Sequence, residues 1–207
     1  MGFWKKLFKW LGDAQYIIQP TNIEHTEKYW NNKRPKASGY KYLARVLFKK
    51  RLPIDPKVFF QPIDDGIPIL GGSSNDETAK KALIYVHDNI KYESDTVQFK
   101  EPEQWLFPFE TLHLRKGDCE DGAILIANIL LKSGVPYWRI RLNSGDVQGG
   151  GHCWTTYLRE SDNTWQILDW CYWYNPNGVE WKTAEKYYQI WFSWNKKYTF
   201  LGDKLDR

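Results

Sequence analysis

The sequence predicts an α+β fold in which one helix packs on a short antiparallel sheet. Three observations predict it. Apolar residues at Ala123, Ile124, Ala127, Leu130 and Leu131 recur at helical spacing. A second stripe, Ala79, Ala82, Leu83, Val86 and Ile90, marks a helix over residues 76–89. Two strand-like runs, 153–158 and 165–170, flank the turn-forming segment Glu160-Ser161-Asp162-Asn163-Thr164. So short a connection pairs them antiparallel.

Taken in chain order, the first element is basic and amphipathic. Phe3, Trp4, Leu7, Phe8 and Leu11 form one face, and Lys5, Lys6 and Lys9 lie opposite. Gly12 can end this helix. We expect residues 1–12 to be an anchor helix that engages protein assembly partners. A membrane surface is the lesser choice. Residues 13–74 read as a basic extension punctuated by Pro20, Pro35, Pro53, Pro56 and Pro62. One helix is expected within it, over residues 39–50, through Tyr42, Leu43, Val46 and Leu47. Residues 75–207 are expected to form the main domain.

Charge follows this division. Residues 1–60 carry thirteen Lys/Arg against four Asp/Glu, and the rest carries sixteen against twenty-one. The first part is therefore +9 and the remainder −5, within an overall +4. A solvated basic face explains the lysines and arginines around residues 33–51 better than nucleic-acid binding does. No apolar run of about twenty residues is present, so no membrane span is expected. The first residues also lack the form of a secretory signal. Three cysteines, an odd number, fit a reducing compartment better than a disulfide framework.

The chemistry concentrates at Lys116-Gly117-Asp118-Cys119-Glu120-Asp121. Asp118 is a good N-cap, and Asp121 stands where a capping-box acid belongs. Gly134 and Pro136 close the helix. Cys119 is thereby placed in the first turn, where free N–H groups and the helix dipole favour a thiolate. Asp118, Glu120 and Asp121 oppose this and should raise the thiol's pKa, so a cationic partner is required.

His152 is the best partner among four histidines. His25 lies in a polar stretch, His87 within the helix 76–89, and His113 has no evident carboxylate. His152 opens the first strand of the hairpin, and Asp169 lies near the end of the second. The hairpin brings them together if both face one cleft. Cysteine, histidine and aspartate in this order are the parts of a thiol nucleophile, its base and the group that orients the base. A zinc site from Cys119, Cys153, Cys171 and His152 is disfavoured: there is no Cys-x-x-Cys pair, and adjacent strand residues face opposite ways. Cys153 and Cys171 are likewise expected on opposite faces and unbridged.

Residues 79–172 resemble the transglutaminase-like superfamily of papain-type thiol enzymes. The resemblance rests on Gly117-Asp118-Cys119, Gly151-His152-Cys153-Trp154 and Leu168-Asp169. The Gly-Asp-Cys-Glu-Asp run is most like bacterial transglutaminase-like cysteine proteinases. Segments 105–111 and 120–123, with Asp169-Trp170-Cys171-Tyr172, also resemble stand-alone proteins of tailed bacteriophages. Cys153 departs from the small or apolar residue usual after the histidine. The resemblance implies a papain-like core and a Cys119–His152–Asp169 triad acting on the amides of a peptide or protein. It implies an oxyanion donor upstream of the nucleophile, at Gln104 or Trp105. It requires no cofactor, with calcium at Asp118 and Glu120 as an option. It admits two classes of function: a live thiol hydrolase or acyl-transferase, and a catalytically silent phage structural protein. Location follows as host cytoplasm or virion.

The last stretch, 181–200, is rich in aromatics: Tyr187, Tyr188, Trp191, Phe192, Trp194 and Tyr198. A helix over 183–195 would gather several on one side. They would pack across the sheet or wall a substrate groove.

Overall fold

The computed structural model describes residues 27–46, 51–60 and 66–202. The anchor helix expected over 1–12 lies outside them. The chain divides into two compact units, Met1–Lys33 and Arg34–Arg207. In the first, the described part is helix α1 (Glu27–Asn32), where Tyr29 meets Trp30 edge-on and Lys33 lies over the Tyr29 ring.

The second unit is the α+β fold expected. Its main sheet has six antiparallel strands: β5 (Ile140–Val147), β6 (Gly150–Leu158), β7 (Trp165–Leu168), β8 (Val179–Glu180), β9 (Tyr187–Trp194) and β10 (Thr199–Leu201). Their order is β10-β9-β5-β6-β7-β8. Four shorter strands form two small pairs. β1 (Tyr42–Ala44) runs antiparallel to β2 (Leu52–Ile54), and β3 (Lys91–Tyr92) runs parallel to β4 (Lys116–Gly117). The helices are α2 (Asn75–Asn89), α3 (Asp95–Gln98), α4 (Pro108–Leu114) and α5 (Cys119–Lys132). Among the described residues no helix is long and apolar enough to cross a membrane.

Helix α5 is buried along most of its length and packs on β5, β6 and α2. Its Ile124, Leu125, Ile126 and Ala127 join Leu83 and Val86 of α2 with Leu142, Cys153, Tyr157 and Leu168 of the sheet. Side chains alternate along a strand. Trp154 and Ile167 therefore turn to the opposite face, into a second cluster with Trp181, Tyr187 and Ile190. Residues 34–60 contribute too. Phe59 and Phe60 enter the main core, and Asn128 of α5 donates to the Phe59 carbonyl at 2.8 Å.

Two expected helices are strands instead. Residues 183–195 hold β9, which pairs with β5 on one edge and β10 on the other. Aromatic and β-branched side chains favour a pleated surface, and β5 needs a partner on the edge that β6 leaves open. Within 39–50 the described part holds β1, closed against β2 and bridged to Gln104 through Arg45. Tyr42 turns into the core there, and its hydroxyl donates to Glu103 at 3.0 Å. Local apolar spacing was outvoted in both places by long-range pairing.

Candidate active site

Three tethers set the start of α5. The β3–β4 pair ties the approach to the helix against the end of α2. Asp118 caps the helix, and its backbone N–H donates to Asp121 Oδ2 at 3.1 Å. Asp121 Oδ1 in turn accepts from the Leu106 N–H at 2.8 Å, fixing the upstream loop. Cys119 is thus the first residue of the helix, as its spacing from Asp118 and Asp121 predicts. Its thiol donates to Glu120 Oε2 at 3.2 Å.

The β6–β7 hairpin supplies the second part. Asp76 of α2 secures it by accepting from the Tyr157 hydroxyl at 2.7 Å and the Glu160 N–H at 2.8 Å. At the open end, His152 Nε2 lies 2.8 Å from Asp169 Oδ2. An ionised carboxylate only accepts, so Nε2 carries a proton, and whenever the ring is neutral Nδ1 keeps its lone pair. His152 is buried, and Nδ1 hydrogen-bonds to nothing among the described residues. The imidazole sits among aromatic rings, with Tyr172 at 5.0 Å, Trp173 at 5.9 Å and Trp154 at 6.0 Å between centroids.

Asp169 is well supplied with donors. Oδ2 also accepts from the Tyr187 hydroxyl at 2.8 Å. Oδ1 accepts from the Cys171 N–H at 3.1 Å and its thiol at 3.4 Å. Burial alone would raise its pKa. The bond and charge of His152, the Cys171 N–H and Tyr187 outweigh burial and hold the carboxyl below its usual value.

The next residue reaches the nucleophile. Trp170 Nε1 donates to the Cys119 carbonyl at 3.2 Å, and its ring lies against Gly122. A Cβ on Gly122 would fall 2.1 Å from that ring, so only glycine admits the contact. His87 of α2 joins here: its Nδ1 is 3.0 Å from the Trp170 carbonyl, and its ring stacks on Tyr174. Asp169 and Trp170, adjacent in the chain, therefore hold His152 and Cys119 respectively.

Around the thiol the electrostatics differ. Burial first, then Asp118, pushes the Cys119 thiol well above its ordinary pKa. Asp95, Asp118 and Asp121 bring carboxylate oxygens within 4.8 Å of one another, and Asp118, Cys119 and Glu120 form a second such group. Burial and the neighbouring Asp118 push Asp95 up to about 7. The same two causes raise Glu120 and Asp121 well above their usual range. Among the described residues, Asp95 Oδ1 and Asp118 Oδ1 are buried without a hydrogen-bond partner.

The remaining expected residues separate. Gln104 is buried, its N–H donating to Asp95 Oδ2 at 2.5 Å, and its side-chain Nε2 has no partner among the described residues. Trp105 lies in the core between Tyr42, Phe59 and Trp194. All three cysteines are free thiols. Cys153 faces the α5 core, and among the described residues no ligand-like group of three includes it. The sequence alone assigns no site role to Tyr187, Trp170 or Asp95. Tyr187 was hidden in an aromatic run read at helical period, and Asp95 carries no local mark. Trp170 stands in the Asp169-Trp170-Cys171-Tyr172 run that carries part of the resemblance, but nothing local points it at Cys119.

Residues 68–190 match the family model described as a transglutaminase-like domain. The chain belongs to this family. No curated protein matches it. The chain also superposes on solved structures of Legionella pneumophila LapG, including EGTA-treated and calcium-bound forms. Each gives a TM-score of 0.55 at 20% identity, covering 64% of this chain and 69% to 71% of the other. At that identity the likeness is one of fold.

Proposed function

We propose that this transglutaminase-like protein is a thiol-dependent hydrolase or acyl-transferase, protease-like in acting on an amide of a peptide or protein. The observation that carries the reading is the dipeptide Asp169-Trp170, which binds the His152 imidazole with one residue and the Cys119 peptide with the next. In this reading the thiol turns from Glu120 to His152 Nδ1, which takes its proton. The sulfur attacks the amide carbonyl carbon, and the carbonyl oxygen becomes an oxyanion. The Cys119 N–H and the unpaired Gln104 amide are its proposed donors. The imidazolium, charge-supported by Asp169, returns the proton to the departing amine. Water or a second amine then resolves the thioester, which separates hydrolysis from acyl transfer.

The acidic cluster fits a hard cation. Its donors are oxygens, two of them buried and unpaired among the described residues, and several of its carboxyls are driven toward protonation by burial first and then by one another. Asp118 and Glu120, with Asp95 and Asp121 beside them, are the residues that would hold calcium, the ion present in one LapG structure. Bound there, it would offset the charge that now raises the thiol. The arm over residues 1–11 belongs to the same proposal, as an anchor to an assembly partner such as a virion component.

A silent interaction module is the second reading, and the raised Cys119 pKa is what favours it. Alkylation separates the two. Brief iodoacetamide treatment at neutral pH with calcium, read by mass spectrometry, should modify Cys119 well before Cys153 and Cys171. Substituting His152 with alanine should slow that labelling about tenfold or more, as loss of general-base help does. Equal labelling of the three thiols would leave the silent module standing.

A further inference from the structure

We infer that Tyr187 is a positioning residue for the chemistry of Cys119 and His152, acting through Asp169; the inference rests on the reading proposed above. Two kinds of donor meet the Asp169 carboxylate. Those on Oδ1 come from Cys171, two residues along the same segment, and move with it. Those on Oδ2 come from elsewhere: His152 on β6 and Tyr187 on β9, both at 2.8 Å. Apart from His152 itself, Tyr187 is therefore, among the described residues, the hydrogen-bond donor that fixes the carboxylate against the body of the sheet. It reaches Asp169 from a strand that β5 and β6 separate from β7.

The hydroxyl is well suited to this work. Tyr187 is buried, with its ring 5.0 Å from Trp154 and 5.7 Å from Trp173. Its torsional freedom is small, so the O–H is held on Oδ2. Burial and the adjacent carboxylate raise its pKa, so it remains a donor at any working pH. An Oδ2 fixed at two points keeps the imidazole in the Nε2–H tautomer and leaves Nδ1 as the base. Without Tyr187 the carboxylate can rotate about its Cβ–Cγ bond, and the imidazole loses the restraint on both its tautomer and its angle.

The test uses the full chain with histidine labelled with nitrogen-15. The His152→Ala variant assigns the His152 signals among the four histidines. In the unmodified protein the His152 nitrogen shifts should report the Nε2–H tautomer. In Tyr187→Phe they should move toward a mixture of tautomers. Iodoacetamide labelling of Cys119 at neutral pH should fall roughly three- to tenfold, the scale of one hydrogen bond. In an Asp169→Asn background the same change should add nothing further, because Tyr187 acts only through that carboxylate. A His152 found as the Nδ1–H tautomer, unmoved shifts in Tyr187→Phe, or full additivity with Asp169→Asn would overturn the inference. Labelling of Cys119 that ignores His152→Ala would instead overturn the proposed function, while the tautomer measurement would still decide the role of Tyr187.

Discussion

The site has two carboxylate environments, and they are opposites. Asp169 is buried among donors: an imidazole, a tyrosine hydroxyl, a thiol and a backbone N–H converge on two oxygens. Its pKa is lowered. Within the same domain Asp95, Asp118, Glu120 and Asp121 are buried largely among themselves, and their pKa values are raised. Burial penalises both groups equally in kind. What differs is whether positive or negative partners share the space. The hairpin half of the site is thus finished by the fold, whereas the helix half is left with an excess of negative charge.

The most direct way to break this contrast is Asp169→Asn. The neutral amide keeps one acceptor and loses the charge that supports an imidazolium. We expect amide hydrolysis to fall a hundredfold or more. Stability should fall by only about 1–3 kcal/mol, the cost of a donor left short of an acceptor. Steady-state rates and thermal unfolding measured on one preparation check both. A variant that unfolds outright would make Asp169 structural first.

A smaller effect sharpens the other side. Asp95 is raised from an ordinary 3.8 to about 7, so between these values the folded protein holds a proton that the unfolded chain has lost. Stability from this group is then full below about 4 and declines as pH rises toward 7. Asp169, held below 3.8, acts oppositely and only in more acid solution. In chelator, Tm should therefore be several degrees higher at pH 5 than at pH 7.5. Calcium should raise Tm at pH 7.5 and flatten that dependence, and Asp95→Asn should flatten it without calcium. A chelated protein that is steadily less stable from pH 7.5 to pH 5 would contradict the charge excess.

The smallest effect expected is from the arm. Both environments lie within Arg34–Arg207, so deleting residues 1–11 should leave the Cys119 labelling rate and Tm nearly unchanged. Co-purification with an assembly partner should be lost. A truncated chain several degrees less stable would instead make the segment a brace of its own domain.

How much of this the sequence discloses depends on range. Helix α5, its cap and its stop are local, and their residues state them openly. The β6–β7 hairpin is nearly as local, since a short turn fixes the pairing of its strands and hence the meeting of His152 with Asp169. Strand β9 is different. Tyr187 to Trp194 carries aromatics that satisfy a helical period as readily as a pleated one, and the deciding partner, β5, ends forty residues earlier by sequence number. Tyr187 could not be linked to Asp169 before that pairing was known. The acidic cluster was half visible. Asp118, Glu120 and Asp121 stand together in the chain, but Asp95 arrives from a separate short helix.

The pair Asp169-Trp170 has a consequence for how such a chain can change length. Successive residues of an extended segment look to opposite sides, so the carboxylate reaches the imidazole only while the indole reaches the helix. One residue gained or lost between Trp165 and Asp169 would turn the carboxylate to the helix side and the indole away from it, so that neither met its present partner. Neither change keeps both contacts. Chain length in this segment is therefore a coded quantity, whereas the neighbouring turn at 160–164 can lengthen outward without altering which side either residue serves.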